Sequence, residues 1–272
     1  MPYAVNNGTK IYWEEHGTGE PLLLIMGLGF SLDMWMRATP LFAEHYRTIV
    51  FDNRGVGRSD VPPGPYSIPD MARDAAAVLD AAGVGGAHVF GVSMGGLIAQ
   101  ELTLQFPSRV RSLVLGCTFC GGPKSVQAEP GVLAALMSIT TMPPDQAFDA
   151  VVPILFDKGT PRERIDETRE MRLQHYPTRE GFLAQVMAIG AYQSCDRISR
   201  ITAPTLVIHG DVDVLVPPQN ATVLAQSIPG AKLVMIPNGA HVFLTDQPEQ
   251  SFEAILSFLA EQRAKELTGS AG

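Results

Sequence analysis

Residues 87–106 of this chain read AHVFGVSMGGLIAQELTLQF. The apolar run Ala87–Val92 is typical of a strand covered on both faces, and Met94–Phe106 has helical character up to the proline that follows it. Between them, residues 91–95 match G-x-S-x-G in the strand–turn–helix context that this pattern requires. Its glycines lack the Cβ atoms that would collide in so sharp a turn. A glycine-rich connection is the alternative interpretation, but the flanking strand and helix favour Ser93 as a nucleophile at a helix N-terminus.

Strand–helix alternation continues on both sides of this segment. It predicts an α/β fold in which a mostly parallel sheet carries helices on both faces. A hairpin over Ala4–His16, with an Asn-Asn-Gly turn, is predicted in front of it. The predicted strands are Pro21–Met26, Tyr46–Asp52, Ala87–Val92, Val110–Cys117, Pro204–His209 and Lys232–Ile236, and the predicted helices are Leu32–His45, Pro69–Ala82, Met94–Phe106, Gln219–Ser227 and Gln247–Glu266.

The alternation is interrupted once. No strong strand pattern occurs from Gly121 to Ser199, where prolines and glycines separate predicted helices. We therefore divide the chain into a core of residues 1–120 and 200–272 and a helical cap insert of residues 121–199. The predicted cap helices are Gly131–Thr140, Asp145–Phe156, Pro161–Tyr176 and Arg179–Ser194.

A serine hydroxyl needs a neighbouring base, and His241 is the best of the six histidines. It follows the last predicted strand in the loop PNGAH, and functional groups of open parallel sheets gather at that edge. His88 and His209 lie inside apolar strands, where a buried neutral histidine is the ordinary explanation.

An acid must orient that histidine, and two aspartates follow the strand Pro204–His209. We choose Asp213 over Asp211, because Asp211 is closer to the strand end and suits a turn-capping role. Along the chain the order is serine, aspartate, histidine, which is the order that accompanies a G-x-S-x-G turn of this kind.

The tetrahedral intermediate of acyl transfer needs two N–H donors. One is predicted to be the backbone of Met94, the residue after the nucleophile. The other is predicted to be the backbone of Leu28, in the loop after the first long strand. A phosphate-binding loop and a dinucleotide-binding turn are both excluded by missing glycine patterns.

Together these residues resemble the α/β-hydrolase superfamily over nearly the whole chain. Residues 52–59, DNRGVGRS, resemble its D-x-R-G-x-G-x-S turn, which is structural, and residues 210–217 resemble its acid loop, which supports Asp213. The resemblance is closest to bacterial carboxylesterases, enol-lactonases and cofactor-free haloperoxidases. Met26-Gly27 stands where the family often has His-Gly, as in polyketide methylesterases. Serine at position 93 argues against haloalkane dehalogenases and epoxide hydrolases, which carry aspartate at the corresponding position of this turn.

The resemblance implies hydrolysis of a small carboxylic ester or lactone through an acyl-enzyme, with no cofactor and no metal. Cleavage of carbon–carbon bonds or perhydrolysis by the same three residues is one alternative. A hydrolase-like receptor with low turnover is another. The natural substrate and the oligomeric state stay open.

Cap side chains are expected to bound the substrate pocket, although more than half of them should simply pack the cap helices together. The arginines of the third cap helix, Arg162, Arg164, Arg169 and Arg172, are predicted to form a solvated face paired with Glu163, Asp166, Glu167 and Glu170. The apolar candidates for the pocket are Met137, Met142, Phe148, Phe156, Met171, Tyr176, Phe182, Met187 and Tyr192.

The net charge of −8 argues against nucleic acid or anionic membranes as partners. The first ten residues have no signal-peptide pattern, and the longest apolar run, Leu22–Phe30, is too short to span a bilayer, so a soluble cytoplasmic protein is expected. The three cysteines, Cys117, Cys120 and Cys195, are therefore predicted to be reduced. A redox or metal role for the C-x-x-C pair is the less favoured alternative to simple packing.

Overall fold

The computed structural model describes residues 2–269, with side chains to residue 265. Within them, eight strands form one sheet in the order β1-β2-β4-β3-β5-β6-β7-β8. The first two strands pair antiparallel, β2 is antiparallel to β4, and the others run parallel. The strands are β1 Tyr3–Asn6, β2 Thr9–His16, β3 Pro21–Ile25, β4 Arg47–Phe51, β5 Ala87–Val92, β6 Val110–Gly116, β7 Thr205–Gly210 and β8 Lys232–Ile236. The predicted fold class is confirmed.

Helices connect the parallel strands, and one of them differs from its prediction. Instead of one helix over Leu32–His45, the chain forms a 3₁₀ turn, Leu32–Trp35, and a separate short helix. Pro40 explains the break, because its ring clashes with the carbonyl four residues earlier and it has no N–H to donate. The helices are α1 Ala38–Ala43, α2 Ile68–Ala81, α3 Met94–Gln105, α4 Pro130–Ser138, α5 Pro144–Leu155, α6 Arg162–Gln174, α7 Arg179–Ala191, α8 Gln219–Ser227, α9 Phe243–Asp246 and α10 Pro248–Gly269.

The central strands of the sheet, β3 to β7, are buried on both faces. Along β5, Val89 packs into one apolar cluster with residues of α2 and α3, whereas Phe90 packs into a second cluster on the opposite face. In the second cluster the ring of Phe90 lies 5.3 Å from that of Trp35 and 6.3 Å from that of Phe42. Burial on both sides is why the central strands read as continuous apolar runs rather than as alternating ones.

The cap, residues 121–199, is the connection between two neighbouring strands, β6 and β7. Its helices α4 to α7 contribute most of a third apolar cluster, in which the rings of Phe148 and Phe156 lie 6.2 Å apart. Leu28, Phe30, Leu215 and Val242, from outside this segment, pack against the same cluster.

The prediction of reduced thiols is wrong for two of the three cysteines, because Cys120 and Cys195 form a disulfide. They stand 75 residues apart in sequence, where the chain enters and leaves the cap. The Ser194 N–H donates to the Cys120 carbonyl at 2.7 Å, which holds the two segments side by side. Cys117 is free and buried, so no C-x-x-C disulfide forms.

No helix within residues 2–269 combines the length and the apolar character needed to cross a membrane. Met1 and residues 270–272, which the division above assigns to the core, lie outside the described residues.

Candidate active site

Ser93 stands on a strained turn between β5 and α3. Its φ of 55° and ψ of −121° lie outside the regions that L-residues prefer. A Cβ at Gly95 would collide with the backbone oxygen of Ile25, and one at Gly91 would collide with that of Gly95. The chain can therefore turn this sharply only with glycine at both positions, as the sequence predicts.

His241 and Asp213 reach this serine from loops at the same edge of the sheet. His241 Nε2 lies 3.1 Å from Ser93 Oγ, and His241 Nδ1 lies 2.8 Å from Asp213 Oδ2. His241 is 7% exposed and Asp213 is 2% exposed. The three side chains chosen from the sequence thus form one hydrogen-bonded chain that is largely shielded from water.

Four groups hold the Asp213 carboxylate. Its Oδ1 accepts the N–H groups of Leu215 and Val216, each at 2.9 Å, while Oδ2 faces His241 and also His209 Nε2 at 3.2 Å. Burial alone would raise the pKa of this carboxyl, but the two imidazoles together bring its pKa below the usual value. Asp213 is therefore held as a carboxylate.

His209 is more than the buried core histidine that the sequence indicates. Its Nε2 lies 2.8 Å from the Val216 carbonyl as well as close to Asp213, so this nitrogen is the one that carries the proton. Its place at the end of an apolar strand, four residues before the acid, was the available signal.

Asp211, the rejected acid, is exposed and does not face His241. Its Oδ1 accepts the backbone N–H of Asn238 at 2.7 Å. The predicted local cap is wrong, because the turn that Asp211 holds is that of the His241 loop, 27 residues further along the chain, rather than its own.

The two predicted backbone donors flank Ser93. Met94 is the first residue of α3, so its N–H belongs to the free N-terminal group of that helix. On the other side, a Cβ at Gly27 would lie 3.6 Å from Ser93 Oγ, which brings the Gly27–Leu28 backbone next to the nucleophile. Leu28 also lines the cavity above Ser93.

Side-chain amides fix this loop, and sequence reasoning missed both of them. Asn53 Nδ2 donates to the Met26 carbonyl at 2.8 Å. Gln185, fully buried on cap helix α7, accepts the Gly29 N–H and donates to the Arg54 carbonyl, both at 2.8 Å. Gln185 is the one polar side chain in residues 181–191, and this position in an apolar run was the signal that could have identified it.

A cavity of about 240 Å³ opens above Ser93 and His241. Of the nine apolar cap residues proposed for the pocket, Phe182 alone lines this cavity within the described part of the chain. Other cap residues form that wall instead: Leu133, Leu136, Ile139, Val151 and Leu155. The expectation that more than half of the nine pack the cap helices together is wrong, because Met137, Met142 and Met187 are exposed and Tyr192 packs into the cluster of the sheet domain.

The predicted arginine face of α6 is only partly right, because Arg164 and Arg169 pair with carboxylates outside the helix and Arg172 is not solvated. Arg172 is only 4% exposed and lines the cavity. The signal was in the spacing, since Ile165, Thr168 and Arg172 fall at i, i+3 and i+7 and share the buried side of the helix. Its neighbour Arg162 is exposed and pairs with Asp166, as predicted.

Among the side chains that the structure describes, residues 2–265, no group of three or more histidine, cysteine or acidic residues is arranged to hold a metal ion. The chemistry available at this site is that of the hydroxyl, the imidazole, the carboxylate and the backbone N–H groups.

A mostly parallel sheet whose central strands are covered on both faces, with a serine on a strained strand-to-helix turn, defines the α/β hydrolases as a class. Residues 20–153 match the model of the alpha/beta hydrolase fold family, and the chain belongs to this family and is a hydrolase. A putative carbamate hydrolase RutD from Azorhizobium caulinodans is 34% identical over 96% of this chain and 99% of that protein.

Solved structures agree with this family. The enol-lactonase from Burkholderia xenovorans superposes with a TM-score of 0.83 at 26% identity, over 95% of this chain and all of that one. A malate-bound thermophilic esterase from Thermogutta terrifontis superposes with a TM-score of 0.82 at 27% identity, over 96% of this chain and 97% of that one.

Proposed function

We propose that this hydrolase cleaves a small carboxylic ester or lactone through an acyl-enzyme formed on Ser93. The observation that carries the proposal is the hydrogen-bonded chain from Asp213 through His241 to Ser93 Oγ, which opens into a mainly apolar cavity. A hydroxyl becomes a competent nucleophile when an oriented imidazole can accept its proton.

In the first half-reaction, Ser93 Oγ attacks the carbonyl carbon while its proton moves to His241 Nε2. The imidazolium is stabilised by Asp213, and the oxyanion is bound by the N–H groups of Leu28 and Met94. When the tetrahedral intermediate collapses, His241 gives the proton to the departing alkoxide, and the acyl group stays on the serine.

In the second half-reaction, water attacks the acyl-enzyme and His241 again accepts the proton as the base. Collapse releases the acid and returns the proton to Ser93 Oγ. With a lactone the alkoxide remains tethered to the acyl group, so one hydroxy acid is released rather than two products.

The relatives support a substrate that undergoes acyl transfer, but their names give different substrate classes. One is named for carbamates, one for enol-lactones and one for esters. We favour esters and lactones, because the cavity beside Ser93 and His241 is lined mainly by apolar residues and an alkoxide or enolate leaves more readily than an amine.

The test is labelling with a fluorophosphonate, combined with hydrolysis of 4-nitrophenyl esters of increasing acyl length. We expect one phosphonyl adduct on the peptide that contains Ser93, and loss of both adduct and turnover in Ser93→Ala. Ser257→Ala, which removes an exposed serine on α10, is the matched control and should keep both.

Labelling at another residue, or full turnover by Ser93→Ala, would show that the nucleophile is assigned wrongly. Stoichiometric labelling of Ser93 without turnover of any ester, lactone or carbamate would favour the receptor-like alternative instead.

A further inference from the structure

Arg172 is the one formally charged side chain among the described residues that line the cavity. Ser93 and His241 line the same cavity. Only 4% of the surface of Arg172 is exposed. Most of the remaining wall is apolar, so this cation lies in surroundings that would otherwise suit a neutral substrate.

The surroundings of Arg172 orient its guanidinium without neutralising it. The guanidinium carbon lies 4.0 Å from the ring centroid of Phe30 and 5.2 Å from that of Tyr176. Its Nε has no hydrogen-bond partner, and no described carboxylate pairs with it. Burial lowers the pKa of this group, but an arginine side chain keeps its proton in proteins.

The lack of a counterion is specific to this position on α6. The other arginines of the helix each pair with a carboxylate: Arg162 with Asp166, Arg164 with Glu249 and Arg169 with Asp149. A buried charge without a partner is costly, and aromatic faces offset only part of that cost. An anion that enters the cavity would supply the missing partner.

We propose that Arg172 binds a free carboxylate of the substrate, so that the preferred ester or lactone carries one negative charge apart from the bond that is cleaved. The inference rests on the proposed function for the identity of the scissile bond. A planar guanidinium held against aromatic rings presents paired N–H groups that match the two oxygens of a carboxylate. A phosphate carries a charge close to −2, which one cation in an apolar cavity would leave partly uncompensated.

The turnover test uses two pairs of esters that differ only in charge. One pair is 4-nitrophenyl hydrogen adipate and its methyl ester, with the carboxylate on the acyl side. The other is 4-butyryloxybenzoate and its methyl ester, with the carboxylate on the alcohol side. We expect the charged member of one pair to have the higher kcat/KM, and Arg172→Met to reduce that preference by about 10- to 100-fold. Arg172→Lys should recover part of it.

Arg162→Met is the matched control, because it removes an exposed arginine of the same helix. It should leave the preference unchanged. The inference would be overturned if Arg172→Met kept the wild-type preference between charged and neutral esters in both pairs while it still hydrolysed the neutral esters. The proposed function would then stand.

A binding measurement separates this inference from the proposed function. Calorimetry on Ser93→Ala, which cannot form the acyl-enzyme, compares monomethyl adipate with dimethyl adipate. We expect the monoanion to bind at least about tenfold more tightly, with the difference lost when Arg172→Met is added.

Equal affinities for the two compounds would overturn the inference, even if both Arg172 variants failed to fold. Absence of labelling at Ser93 together with tight binding of the monoanion would instead overturn the proposed function alone.

Discussion

Replacing Asp213 with asparagine should prevent His241 from acting as the base, while the asparagine still occupies the place of the carboxylate. In the wild type, Asp213 Oδ1 accepts two backbone N–H groups and Oδ2 faces the Nδ1 of His241. An asparagine keeps its carbonyl oxygen on the two backbone donors, so its NH₂ group must face His241. The imidazole can then only accept at Nδ1, which moves its proton to Nε2, the atom that faces Ser93 Oγ.

That tautomer cannot take the serine proton, so the loss should appear in kcat. The same substitution in a Ser-His-Asp protease lowers kcat by about 10⁴-fold. At 1.36 kcal/mol for each factor of ten, this corresponds to about 5.5 kcal/mol of transition-state stabilisation. The substrate still reaches the same cavity, so KM should change by much less.

The assay is steady-state hydrolysis of a 4-nitrophenyl ester, with a thermal melt to establish that the variant folds. Asp211→Asn is the matched control, because Asp211 lies in the same loop and also accepts a backbone N–H. It should stay within a few-fold of the wild type. A value of kcat for Asp213→Asn within tenfold of the wild type, or a greater loss in Asp211→Asn, would refute the reasoning.

Gln185→Leu leaves two buried backbone groups without partners, so it should lower the free energy of unfolding by about 2–4 kcal/mol. It should also lower kcat, because the loop at Gly27–Gly29 beside Ser93 loses its support. An unchanged melt and an unchanged kcat would contradict this. Because the pKa of Asp213 is depressed in the folded state, its contribution to stability is present above the unfolded value of about 4 and is lost as pH falls through the folded value. Urea unfolding from pH 5 down to pH 2 should therefore be less pH-dependent in Asp213→Asn than in the wild type, and parallel curves would argue against it. Reduction of the Cys120–Cys195 disulfide opens a 75-residue loop, which costs about 4.5 kcal/mol by chain entropy, or roughly 10 °C of Tm. The variant with both cysteines replaced by serine should melt at that lower temperature with or without dithiothreitol, and a reductant-dependent melt would disagree.

The core of the site could be predicted because its requirements are local in sequence. The turn around Ser93 needs glycine two residues before and two residues after, and the strand before it is uniformly apolar because both its faces are covered. Asp213 and His241 each follow a predicted strand, and parallel topology brings such loops to one edge.

What could not be predicted depends on contacts between distant segments. Arg172 lies in a helix whose charged composition is typical of the protein surface. Only the packing of α6 places its guanidinium over the ring of Phe30. Cys120 and Cys195 are 75 residues apart, and their pairing depends on how the cap folds back. The spacing of Ile165, Thr168 and Arg172 indicates the buried side of α6, but neither spacing nor composition shows that Arg172 lines the cavity or that the two cysteines pair.

The position of the cap as the link between β6 and β7 has a consequence for how this protein can change. Ser93, Asp213 and His241 all come from outside residues 121–199, whereas much of the wall opposite them comes from inside that segment. Because its two ends leave from adjacent strands, the segment can be exchanged for another without altering the strand order. Much of the cavity wall can therefore vary with one stretch of the gene, while Ser93, Asp213 and His241 are inherited unchanged. A replacement segment must still supply a partner for the Gly29 N–H, as Gln185 does.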